Sequence, residues 1–271
     1  MPIESVARSL SFINWVVVSS LAGGCLAAIL FVTHRSESTR GYRGFTVFAA
    51  GGWAFLAWLA DGALPTPTAD APIHAAGPEI DALRRLLLVL IACLATLWTV
   101  RIARGHDGRS IGAFTVLIAV AAQIVAAVGW APTPFMAVAL IVQLLILSAV
   151  TGGAFAAMIL AHWYLVTPKL SEAPLLLLSR TLGVGVALQI GLFVVWQILG
   201  FGGLGAGWDF FAILRLLIGL IFPALLSYAG WRTAKARSME SATGLLYIDL
   251  GAIATGTILA AGLFFGAGIL V

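Results

Sequence analysis

Apolar residues run through this 271-residue chain in eight long blocks, approximately 10–33, 44–64, 83–104, 110–130, 135–166, 175–200, 209–231 and 241–270. Short polar or Pro/Gly-rich joints separate them. Hydrophobicity inside each block is continuous, without the period-two alternation of a barrel strand, so each block predicts a helix. A lipid core needs roughly 20 apolar residues per helix, and every block reaches that length. Helices also satisfy their backbone N–H and C=O groups without water. The pattern predicts an all-α integral membrane protein with eight transmembrane helices.

Composition agrees. Hydrophobic residues make up 61% of the chain and charged residues 10%, against about 25% charged in soluble domains. The net charge of +4 is not a nucleic-acid footprint, because the basic residues sit in the joints. Arg35, Arg40 and Arg43 follow block 1, and Arg101, Arg104 and Arg109 follow block 3. Lys169 follows block 5, and Arg232, Lys235 and Arg237 follow block 7. The joint after block 2 is acidic (Asp61, Asp70, Glu79, Asp81), with Arg84 and Arg85 only where block 3 begins. Positive-inside then puts the basic joints in the cytoplasm and both termini outside, in a bacterial inner membrane. The Pro-rich segment 62–82 is the one sizeable external loop, a candidate docking surface. Cys25 and Cys93 lie inside apolar blocks and read as small hydrophobes. Leu21–Cys25 comes close to a lipoprotein cleavage site, but the apolar run continues to Val32, so block 1 is expected to stay as a span.

The chain also matches itself. Ser19-Ser20 with Gly23-Gly24 and Ala27-Ala28 aligns with Ser148 to Ala157 at an offset of 129, and Arg85-Leu-Leu-Leu aligns with Arg215-Leu-Leu-Ile at 130. Arg101, Arg104 and Ser110 align with Arg232, Lys235 and Ser241 at 131. These matches predict a tandem duplication, with four-helix units at 1–131 and 132–271. Four is an even number, so the halves share one orientation and are related by an axis along the membrane normal. The Gly/Ala pairs at one-turn spacing predict close helix packing.

Ionisable groups inside a span cost roughly 2.5–3.5 kcal/mol at its centre, so each needs a reason. His162, Tyr164, Arg180, Tyr247 and Asp249 all fall in the cytoplasmic half of the second unit. They are the candidate ligand-binding set. Two accounts compete for Asp249: an ion pair with Arg180, or a polar pocket in which Asp249 and His162 relay protons to a quinone ring or head group. His162 is equally readable as an interfacial residue in an aromatic belt with Trp163 and Tyr164. On the outer side, Arg85, Asp209 and Arg215 form a secondary set. Arg215 either snorkels outward or repeats a structural role of Arg85.

Absences narrow the chemistry. A transmembrane bis-His haem needs two facing histidines and only His162 qualifies. No Walker A, HExxH or GxSxG motif is present, and no metal or covalent cofactor is expected. Eight haem-free helices in two four-helix units, with polar residues near one face, resemble the NrfD/polysulfide-reductase membrane-subunit family. That resemblance is one of architecture and rests on no motif. It implies a quinone-binding subunit of a respiratory or redox complex, with other subunits and membrane lipids as partners. A small-solute or ion transporter and a structural scaffold subunit are the alternatives.

Overall fold

The computed structural model describes residues 9–167 and 169–271. Among them it contains eight helices long and apolar enough to cross a membrane: α1 Leu10–Arg35, α2 Arg40–Gly62, α3 Pro78–Ala103, α4 Arg109–Trp130, α5 Pro134–Val166, α6 Ala173–Ile198, α7 Asp209–Lys235 and α8 Met239–Ala267. No strand occurs among the described residues. The helices begin earlier or end later than the apolar blocks at several joints, because caps carry them into polar sequence. Thr39 accepts a hydrogen bond from the Tyr42 N–H and starts α2 at Arg40. Pro78 supplies the first residue of α3, and Glu79 and Asp81 favour its N-terminal dipole. Asp61, Glu79 and Asp81 are therefore helical rather than loop residues, and the loop shrinks to 63–77.

The helices alternate in direction and give the bundle two ends. One end, here the loop face, carries segment 63–77. The other, the basic face, carries the Arg/Lys-rich joints. Arg43 pairs there with Asp107 at 2.9 Å, and Arg237 pairs with Glu172. Both carboxyls are held below their usual range, chiefly by hydrogen bonds from those arginines. Arg237 stands in the left-handed region at φ 59°, just past the end of α7, where the Ser238 N–H closes onto the Thr233 carbonyl.

Helices α1 and α5 cross at the centre. A Cβ added to Gly152 would lie 2.6 Å from the Gly24 Cα, and one added to Gly24 would lie 3.0 Å from the Gly152 Cα. No larger residue fits that crossing, and the Ser148 hydroxyl reaches Ser20 Oγ at 3.3 Å beside it. Around this pair, α1 packs on α2, α4 and α8, while α5 packs on α6, α8 and α4. Exchanging α1–α4 for α5–α8 sends each of these contacts onto another of them. Outward faces stay apolar: Phe48, Leu188 and Leu225 are each more than 50% exposed in mid-helix. Water would not tolerate such a surface, and lipid would.

Helix α7 is interrupted. Residues Leu217–Ile221 form a π-turn directly before Pro223. Proline has no N–H, so the Gly219 carbonyl four residues earlier loses its regular α-helical donor. Arg215 replaces it, donating from Nη1 at 2.8 Å.

Candidate functional site

The candidate residues near the basic face do not form one pocket. Asp249 is fully buried between α7 and α8, and Ser227 donates to its Oδ2 at 2.6 Å while Oδ1 has no partner. Arg180 is exposed and forms no ion pair with Asp249. His162 and Tyr247 do meet, Nδ1 to Oη at 3.4 Å with the rings edge to face, but on an exposed flank of the bundle. Tyr247 and Asp249 are two residues apart on α8, so they point to different sides of that helix. Tyr164 is buried and donates to the Ser171 carbonyl, tying the end of α5 to the joint that follows. The set is one buried carboxylate, one surface ring pair, one structural tyrosine and one exposed cation. None of them lines either of the two cavities at the opposite end of the bundle.

Polar groups gather instead at the loop face. Arg84, on the buried side of α3, donates from Nε to Asp61 Oδ2 at 2.5 Å and from Nη2 to Asp61 Oδ1 at 3.2 Å. Its Nη1 lies 2.8 Å from Asp81, and its guanidinium carbon lies 4.9 Å from the centre of the Trp130 ring. The side chains of Arg84 and Asp61 are 3% and 1% exposed, which makes this a desolvated ion pair. The next residue, Arg85, stands over the Trp58 ring at 5.7 Å and forms no ion pair with a described residue. Sequence matching singled out Arg85 and passed over Arg84. The adjacent pair differs by about 100° around the helix, and the apolar sequence on every side of α3 conceals which of the two faces inward.

Two cavities open beside this cluster. One, of about 230 Å³, has Asp61, Asp81, Arg84 and Arg85 in its wall. The second, of about 390 Å³, is mostly apolar, with Pro72, Ile73 and Phe265 in its wall. Phe12, Pro65, Thr66 and Pro67 line both, so the two spaces adjoin. Loop 63–77 forms much of the roof, and its His74 N–H bonds to the Trp130 carbonyl. Beneath lies an aromatic floor in which Phe12 stacks on Phe265 at 4.9 Å and meets Trp130 edge-on. The joined space has a charged end and a mostly apolar end, with Ser9 and Asp70 among the residues of the latter. An amphipathic molecule matches that division.

The secondary residues part company too. Asp209 is exposed and caps the preceding turn, accepting from the Gly205 N–H at 2.7 Å. Arg215 does not snorkel. It is 1% exposed and donates from Nη2 to Gln189 Oε1 at 2.9 Å. Among the described residues, no group of three or more His, Cys, Asp or Glu is placed to hold a metal ion. Cys25 and Cys93 are free thiols. Neither a protein-family model nor a curated protein matches the chain.

Proposed function

We propose that this protein is a membrane-embedded subunit of a respiratory or redox complex that binds a quinone or lipid. The binding site in this reading is the two-part cavity at the loop face, rather than the basic face where the sequence pattern placed it. The observation that carries it is the adjacency of the two spaces. Arg85, a cation without a carboxylate partner among the described residues, meets a polar head, and the Phe12, Ile73 and Phe265 walls take an apolar chain. Asp61 and Arg84 neutralise one another and hold the polar end open. Positive-inside orientation puts this face outside the inner membrane, where loop 63–77 is available to a partner subunit. The shared contact order of the two halves supports descent from a duplicated four-helix unit. The architecture-level resemblance to the NrfD/polysulfide-reductase membrane subunits implies a quinone-binding subunit and does not locate its site.

Purification in a mild detergent, followed by native mass spectrometry and solvent extraction, tests the reading. A stoichiometric quinone or phospholipid is expected, together with co-purifying subunits. Arg85→Ala and the cavity-filling Thr66→Trp should each abolish retention. Extracted quinone supports the redox assignment, and phospholipid alone moves the site to lipid binding and overturns it. A lone chain without any amphiphile overturns both.

A further inference from the structure

The two buried arginines occupy corresponding places in unlike company. In the first half, the third helix (α3) offers Arg84 to the second helix (α2), where a carboxylate, Asp61, receives it. In the second half, α7 offers Arg215 to α6, where the partner is an amide, Gln189. Arg215 is as deeply buried as Arg84 but has no counter-charge in contact among the described residues. The nearest buried acid on the neighbouring helix, Asp249, stands seven residues from Gly256, about 10 Å along α8, and is engaged by Ser227. The Nη1 side is closed: a Cβ at Gly219 would come within 2.8 Å of it, and Gly219 and Gly256 touch.

Two neighbouring donors are idle. Arg215 Nε and Gln189 Nε2 have no hydrogen-bond partner, although the residues are 1% and 5% exposed. The amide orientation is dictated by the arginine: Oε1 must accept from Nη2, so the NH2 group is left to donate elsewhere. Buried donors without acceptors, attached to an uncompensated charge, describe a missing acceptor that is negative. A water molecule would answer the hydrogen bonds and leave the charge.

We propose that Arg215 and Gln189 form a binding site for a small monovalent anion of the halide class, taking the place that the Asp61 carboxylate holds beside Arg84. The site lies on the α6–α7 seam, independent of the amphiphile cavity, and its failure would not touch that assignment.

The test is thermal unfolding of the full chain in detergent, in sodium chloride against sodium gluconate at equal ionic strength. Wild type should gain about 2–4 °C in chloride, saturably, by mass action on the folded state. Gln189→Glu supplies the carboxylate internally. It should melt higher than wild type in gluconate and lose its response to chloride. Arg215→Gln should also lose the response; if that variant does not fold, Gln189→Glu decides. Equal melting of wild type in both salts, or an undiminished chloride response in Gln189→Glu, overturns the proposal.

Discussion

At the scale of residues, what matters most is which charges the fold desolvates and what it gives them. Asp61 and Arg84 are both withdrawn from water, and each makes the other tolerable. Breaking such a pair from one side costs about 3–5 kcal/mol, because it strands the remaining charge, whereas replacing both partners with apolar groups is often neutral. Asp61→Asn is therefore expected to lower the melting temperature strongly, and Asp61→Leu with Arg84→Met to recover most of the loss. Equal melting of Asp61→Asn and wild type would show that the pair is solvated. From the sequence, Asp61 reads as a loop residue and Arg85 as the repeated arginine. Both readings miss by a helix end or by one position. The deciding quantity is burial, and burial here depends on loop 63–77 closing over the end of α2. Counting residues sets how far along α5 and α8 His162 and Asp249 stand. Whether they face each other depends on rotation about α5 and α8, which a uniformly apolar sequence leaves open.

At the scale of elements, the glycine pairs divide by what stands opposite them. Gly152 and Gly24 meet across the α1–α5 crossing, while Gly153 faces open space. Gly152→Ala has no room, since the obstructing atoms are backbone and cannot rotate away. It is expected to separate α1 from α5 and to lower stability by more than 2 kcal/mol, in the range of overpacked cores. Gly153→Ala meets nothing and gains helix propensity, about 0.8–1 kcal/mol at most. Detergent melting curves of the two variants should diverge in sign, and matching curves would refute the crossing. The small-residue spacing is legible in the sequence as a packing device. Which member of each pair forms the contact is set by the crossing angle. The α7 π-turn has a partial signal in Pro223, which predicts a broken bond to Gly219 but not the donor that repairs it.

At the scale of the whole molecule, the basic face joins helices through carboxylates that respond to acid. On the basic face, Asp107 and Glu172 have folded-state acidities pushed below the ordinary carboxylate range by Arg43 and Arg237. A depressed pKa contributes stability that is fully present above the ordinary carboxylate value and is lost as pH falls through the folded value. These pairs join α2 to the α3–α4 joint and the start of α6 to the end of α7. Melting temperature should hold steady near neutral pH and fall below about pH 4. Asp107→Asn should flatten part of that fall. Because the groups are exposed, added salt should shrink the effect. A pH profile that Asp107→Asn leaves unaltered would assign the acid sensitivity elsewhere.

Eight helices, their lengths and their alternation follow from the sequence by itself, because a lipid-crossing backbone has to bond internally and twenty apolar residues at a time leave it one regular way to do so. The charge asymmetry between the joints is likewise written in order along the chain. Tertiary structure alone decided where polar groups become a site. A buried polar contact needs depth, rotation and a partner from a distant helix to agree, and hydrophobic periodicity is silent on rotation when a helix is apolar all round. That is why the cavity emerged at the loop face, with Arg84 in its wall, and why Gln189 stands against Arg215 where its counterpart is an acid.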